Sequence, residues 1–264
     1  MKALFLGLLV ASGLAATAQT VPAPTFTATC QDQGFNHQKT FCETRDLTMP
    51  APAGQPLTVE GSTNGSVSVK GWDGPDVRIR AVVKAWADTE AQAQEHVAGI
   101  KISTAGNVLR ASVPADGQNA AVSYEVFVPR RTALALTTHN GSIRLAGVQA
   151  AITFSAQNGS VSLTDLGGQV TGHTTNGSLT INLSGRQWQG QGLDVETTNG
   201  SIRWHLPTDY SAQLYTGTTN GGLRTALPQT DPKGHHHEVN TTLGKGGPAV
   251  KAITTNGSVV IQQG

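Results

Sequence analysis

The sequence is short of the features that usually announce a chemistry. It holds two cysteines, Cys30 and Cys42, in 264 residues, and their separation is neither C-x-x-C nor a usual zinc spacing. In an oxidising compartment the natural reading is a disulfide, worth roughly 2–3 kcal/mol on the chain-entropy model. It also lacks charge of one sign: Lys and Arg number 18 against 17 Asp and Glu, and basic residues never form a run. That balance excludes the electrostatic footprint of a nucleic-acid-binding protein. Past the N-terminus no apolar stretch approaches the about 18 residues of a membrane-spanning helix, so no transmembrane segment is expected in the mature chain. Carboxylates are sparse in the repeat region, which offers Asp165, Asp194, Glu196 and Asp209, scattered over different repeats and register positions. Paired carboxylates for acid–base work are missing, and the expectation is a protein that is not an enzyme and needs no cofactor.

The N-terminus reads as an export signal over residues 1–18. Lys2 gives the positive start, Ala3 to Leu14 the apolar run, and Ala16-Thr17-Ala18 a small-x-small cleavage site. No cysteine follows that site to carry a lipid. The expected location is therefore periplasmic or at the cell surface. Residues 19–56, rich in Pro, Ala and Thr at both ends, read as a flexible leader carrying the Cys30–Cys42 bond. Residues 57–264 read as one β-strand-repeat domain.

The feature the sequence does have is a repeat. An Asn-Gly dipeptide recurs seven times, as Asn64-Gly65, Asn140-Gly141, Asn158-Gly159, Asn176-Gly177, Asn199-Gly200, Asn220-Gly221 and Asn256-Gly257. Each is followed by a small residue and then a branched aliphatic one. From Asn140 the spacings are 18, 18, 23, 21 and 36 residues, the last equal to two lengths of 18. A period near 20 residues signals similar units that bury their apolar faces against one another.

Parity sharpens this reading. Around each Asn the positions two before, three after and five after share one face: Ala156, Val161 and Leu163 with Phe154, or Thr197, Ile202 and Trp204 with Val195. That inward set is apolar plus Thr. The outward set has a column of Ser142, Ser160, Ser178, Ser201 and Ser258, followed by one of Arg144, Ser162, Thr180, Arg203 and Arg224. The fold class is all-β, with two architectures open. One is a parallel β-solenoid of about 18–23-residue coils with Asn-Gly corners, in which Gly supplies positive φ, Asn tolerates it, and the Asn amides stack as a ladder. The alternative is a set of antiparallel stacked β-hairpins with Asn-Gly as type I′ turns. Extra residues enter only between repeats, which favours the solenoid. One short helix is expected at Thr89 to Ala98, with Asp88 as its N-cap and Gly99 at its end.

The Thr-Thr-Asn-Gly-Ser-Leu type motif, Gly71-Trp72-Asp73, Val122-Ser123-Tyr124-Glu125-Val126 with Val128-Pro129-Arg130, and Gly192-Leu193-Asp194-Val195 carry a resemblance. From Leu57 to the C-terminus the chain resembles the bacterial putative-adhesin family of β-strand-repeat envelope proteins, a domain of unknown function. The resemblance implies a repeat fold and an adhesin-like or envelope-stress role, with no shared catalytic motif.

These observations lead to an exported, non-enzymatic binding or structural module of the cell envelope. Arg144, Arg203 and Arg224, with Ser142, Ser160, Ser178 and Ser201, are the candidate contacts for an envelope polysaccharide or protein. Two competitors remain: a polysaccharide-active β-helix enzyme, and a surface protein that self-associates through the terminal coil at Ala252 to Ile261. Asp194 and Glu196 lie within reach of Arg203 only as a surface salt bridge. His235-His236-His237-Glu238 sits in a Gly-flanked loop and suits adventitious metal capture rather than a built site. His139 and His173 lie too far apart for one ion. Trp204 is expected in the core, and Trp188 either packs in its loop or offers a ring to a sugar.

Overall fold

A computed structural model describes residues 21–30, 38–114, 119–227 and 237–264. The proposed signal at 1–18, and His235 and His236, lie outside these residues. The described chain is mostly β and forms two long sheets of ten strands each. In spatial order the first sheet holds β1 (Lys39–Pro50), β4 (Asp76–Ala87), β7 (Ala120–Pro129), β3 (Val67–Trp72), β9 (Ile143–Ala146), β11 (Val161–Thr164), β13 (Leu179–Asn182), β15 (Ile202–Leu206), β20 (Val259–Gln263) and β17 (Leu223–Arg224). The second holds β18 (Glu238–Leu243), β16 (Ala212–Asn220), β19 (Ala249–Asn256), β14 (Gly192–Asn199), β12 (Gln169–Asn176), β10 (Ile152–Asn158), β8 (Leu134–Asn140), β2 (Leu57–Glu60), β6 (Val108–Ser112) and β5 (Lys101–Ser103).

Most neighbours in both sheets are parallel. From β8 to β17 the chain alternates between the sheets, and each Asn-Gly lies where it leaves the second and enters the first. The strands flanking an Asn-Gly therefore belong to different sheets and do not pair, which rules out a hairpin at these dipeptides. The Asn residues stay in register, Asn140 with Asn158, Asn158 with Asn176, Asn176 with Asn199 and Asn199 with Asn256.

The inward parity holds. Phe154, Ala156, Val161, Leu163, Val195, Thr197, Ile202 and Trp204 are all buried in the space between the sheets. Trp204 is fully enclosed, and its indole N–H donates to Thr216 Oγ1 at 3.0 Å, which donates in turn to the Ala252 carbonyl at 2.6 Å. Those bonds remove the desolvation cost that a buried indole and hydroxyl otherwise carry. Phe154 is accommodated by Gly172 on the adjacent strand, where a Cβ would lie 2.5 Å from the phenyl ring.

The reason for glycine at the corners differs from the expectation. Of the seven, only Gly65 (φ 148°) and Gly257 (φ 158°) have positive φ, and no corner Asn does. What requires glycine is proximity: a Cβ on Gly159 would lie 2.0 Å from the Gly141 carbonyl oxygen, and one on Gly177 would lie 2.1 Å from that of Gly159. Each corner but Gly65, which rests on Val122, lies directly on the backbone of another corner, leaving no volume for a side chain.

Three further expectations are corrected. The leader at 19–56 is not free: residues 39–50 form β1, which pairs antiparallel with β4 along its length. Residues 21–30 have no regular structure but lie across the first sheet, tied at one end by the Cys30–Cys42 disulfide. The Pro- and Thr-rich composition hid this because the strap is held by contacts with residues about a hundred positions away. The 36-residue interval between Asn220 and Asn256 is not two equal repeats. It includes β18, which pairs antiparallel with β16, after which the chain returns and inserts β19 and β20 between earlier strands. The segment Ala252 to Ile261, expected to be a terminal edge, is therefore flanked on both sides.

The single α-helix among the described residues, α1 (Glu90–Gly99), packs on β1 and β4 through Ala93 and Val97. Its N-cap is Thr89, not Asp88: Thr89 accepts from the Gln92 N–H, and the Gln92 side chain accepts from the Thr89 N–H. Thr followed three residues later by Gln makes a capping box that Asp88, one position early, cannot form. The Arg45 guanidinium on β1 donates to the Val97 carbonyl at 2.7 Å and to that of Ile100, placing positive charge at the negative helix end.

Candidate functional site

The two outward faces differ in chemistry, and both follow from the strand register. On the first sheet the predicted serine column serves the scaffold. The Ser178 N–H donates to Ser160 Oγ, the Ser201 N–H to Ser178 Oγ and the Ser258 N–H to Ser201 Oγ, each at 3.3 Å. The Ser142 N–H donates likewise to Ser66 Oγ at 3.2 Å. These hydroxyls satisfy backbone donors at the corners, a reason for serine that parity alone did not supply.

The arginines are placed differently. Arg144, Arg203 and Arg224 are exposed on the outward face, and none forms an ion pair with a described carboxylate. They are not one continuous column. Ser162 and Thr180 stand between Arg144 and Arg203, and Val260 stands between Arg203 and Arg224 because β20 is inserted there. At about 4.8 Å per strand the separations are about 14 and 10 Å along the sheet. Strands β9, β11, β13, β15, β20 and β17 contain no Asp or Glu, so the guanidinium groups define the sign of this face.

At the opposite end of this sheet Glu125, buried on β7, is the anchor of the N-terminal strap. Its carboxylate accepts the Ala28 N–H at 2.7 Å, the Thr27 N–H at 2.8 Å and hydroxyl at 3.0 Å, and Lys70 Nζ at 2.9 Å. Burial alone would raise its pKa, but the bonds from Ala28, Lys70 and Thr27 outweigh it and hold the carboxyl below the ordinary range. Phe26 meets Phe127 with ring centroids 5.4 Å apart, and Arg80 stacks over Phe26 at 4.7 Å. Arg80 in turn forms a two-bond pair with Asp46 of β1, both contacts 2.7 Å.

The second sheet carries acidic residues of its own. Asp194 pairs with Lys251 on the adjacent strand at 3.1 Å, not with Arg203, which lies in the other sheet. Glu196 likewise faces away from Arg203 and has no ionic partner among the described residues. His173 Nε2 lies 3.1 Å from Ser155 Oγ, and no group of three metal-ligating side chains occurs among the described residues. Trp188 is buried, with its indole donating to the Gly168 carbonyl at 3.0 Å, so its ring is unavailable for stacking on a sugar.

A groove of about 480 Å³, absent from the sequence reading, opens on this face at β14, β19, β16 and β18. Gly217 and Ile253 lie along its middle, Glu196 and Glu238 stand on opposite sides, and Tyr215 and His237 complete it. The Tyr215 hydroxyl donates to Glu238 Oε2 at 3.3 Å, and its pKa is raised, first by burial and then by the Glu238 charge. His237 Nδ1 lies 3.0 Å from the Gly221 carbonyl and so carries the proton, directing Nε2 elsewhere. The available signal was Gly217: where other repeats have Ser155, His173 or Glu196 at this outward position, this one has no side chain.

No helix among the described residues is long and apolar enough to cross a membrane. No curated protein matches the chain. Among solved structures it is similar to a putative cell adhesion protein from Clostridium sporogenes (12% identity, TM-score 0.44, covering 84% of this chain and 100% of that one). It is also similar to a putative adhesin from Bacteroides fragilis (11% identity, TM-score 0.38, covering 84% and 97%). A third is a putative lipid binding protein from Parabacteroides distasonis (12% identity, TM-score 0.35, covering 84% and 96%). The Toastrack DUF4097 profile matches residues 57–262, a span that takes in every Asn-Gly corner but leaves out β1, and the chain belongs to that family.

Proposed function

We propose that the protein is an exported, non-enzymatic β-solenoid, with coils of 18–23 residues turning at Asn-Gly, that binds an anionic polymer of the bacterial cell envelope. The observation that carries this reading is the run of six strands without Asp or Glu, β9 to β17 in spatial order, on which Arg144, Arg203 and Arg224 stand exposed and unpaired. Guanidinium groups spaced along a rigid sheet meet phosphate or carboxylate groups by charge-assisted hydrogen bonds, and modest contacts add when the ligand repeats. The Cys30–Cys42 disulfide supports a location outside the cytoplasm, periplasmic or at the cell surface.

The experiment is a pull-down of mature protein on whole cells and isolated envelope fractions, beside the Arg144→Ala, Arg203→Ala, Arg224→Ala triple variant. Retention of the parent, lost in the variant and weakened by salt, supports the reading. Equal retention of both proteins makes this face a solvated surface and removes the proposal.

A further inference from the structure

We infer that the groove on the second sheet is a separate site for a neutral oligosaccharide. It lies on the opposite sheet from the arginines, so the inference does not rest on the anionic-polymer reading. The groove exists because two outward positions in one row break the pattern. Successive strands carry His173, Glu196, Ile253 and Gly217 in register, with Glu238 opposite Gly217 on β18. Ile253 gives an apolar stretch, and Gly217, though buried beside β18, puts no side chain into the row. A Cβ there would come within 3.0 Å of the His237 carbonyl and 3.1 Å of Glu238 Cβ. The result is a shallow trough bounded by a carboxylate at each side and by the Tyr215 ring.

Its polar groups suit hydroxylated ligands. Along one margin Thr198, Thr255 and Thr219 present exposed hydroxyls one strand apart, about 4.8 Å. Their inward neighbours Thr197, Thr254 and Thr218 donate to corner carbonyls, whereas none of these three has a hydrogen-bond partner among the described residues. That row offers paired donors and acceptors at a spacing close to the length of one pyranose. Glu196 and Glu238 accept from vicinal hydroxyls, and the bond from Tyr215 orients Glu238 for this. The C–H face of a sugar ring packs on an aromatic surface and on Ile253. Lys251, the nearby cation, is paired with Asp194. The field of the trough therefore disfavours uronic acids and phosphorylated sugars and selects uncharged ones.

The test is calorimetric titration of the intact, disulfide-bonded mature protein with a panel of gluco-, manno-, galacto- and N-acetylglucosamine oligosaccharides. Galacturonate oligomers and spermidine serve as charged comparisons. Binding of a neutral oligosaccharide is expected, weakened about tenfold or more by Tyr215→Ala and clearly reduced by Glu196→Ala. Glu196 is exposed and has no bonded partner among the described residues, so its removal leaves the fold intact should Tyr215→Ala fail to fold. The triple arginine variant should bind the same sugar unchanged, which separates failure of this site from failure of the other. Preference for spermidine, no binding of any neutral sugar at millimolar concentration, or neutral-sugar binding indifferent to both groove variants overturns the proposal.

Discussion

Asn176 donates from its side-chain nitrogen to the side-chain oxygen of Asn158 at 2.8 Å, and accepts in the same way from Asn199 at 2.9 Å. The series continues through Asn256 to Asn220 on one side and through Asn140 to Asn64 on the other. Replacing Asn176 with Ala removes two of these bonds from the middle of the run. The expected loss is about 1–2 kcal/mol, since exposed amides recover part of each bond from water. Urea unfolding of the variant measures it, and Asn64→Ala, at the terminal position, should cost less.

Steric demand at the corners is more severe. Gly159→Ala places a methyl 2.0 Å from the Gly141 carbonyl oxygen, where only backbone can yield. A loss above about 3 kcal/mol, or failure to fold, is expected. Gly222→Ala is the control: it has open space around the added carbon, and its midpoint should move by less than about 0.5 kcal/mol.

One repeat lacks a bond that its neighbours make. Thr138 and Thr174 donate to the carbonyls of Gly65 and Gly159 at 3.1 and 2.8 Å, but Ala156, between them in register, has no hydroxyl for Gly141. Ala156→Thr should stabilise the protein by about 0.5–1 kcal/mol. A decrease in the thermal midpoint would show that the site cannot admit the extra atoms.

Acid should release the N-terminal strap before it unfolds the sheets. Glu125 has a folded pKa below its unfolded value, so the stability it contributes is complete above the ordinary carboxylate pKa and is lost as pH falls through the lower folded value. Hydrogen exchange at residues 21–30 should rise across that window. In Glu125→Gln the strap should exchange faster at neutral pH and show a flatter acid response.

Reduction of Cys30–Cys42 acts on the same strap at Cys30, two residues beyond the Ala28 held by Glu125. The expected destabilisation is roughly 2–3 kcal/mol, read as a drop in denaturation midpoint with reductant. Cys30→Ser with Cys42→Ser should reproduce it without reductant.

Much of the repeat region was legible because its determinants are local and periodic. Asn158-Gly159-Ser160-Val161 states a corner, an outward serine and an inward valine within four residues, and the same spacing implies that Asn158 meets Asn140 and Asn176. What escaped depends on contacts remote in sequence. Nothing near Thr27 shows that Glu125 will capture it, 98 residues away. The groove was missed for a related reason, since Gly217 and Ile253 become neighbours only through the return of the chain after β18. The separation of Arg203 from Arg224 by Val260 has that same origin.

The insertion of β19 and β20 between earlier strands also bears on the order of events in folding. Asn199 and Asn220 are consecutive corners in the chain, yet Asn256 stands between them. A polypeptide assembling from its N-terminus cannot simply add each unit to the last one made. The slot bounded by β14 and β15 on one side and β16 and β17 on the other closes only when the C-terminal strands arrive, like a keystone set last. Until then the buried faces of Trp204 and Leu214 lack their final neighbours, so maturation is a late, non-local and therefore slow step.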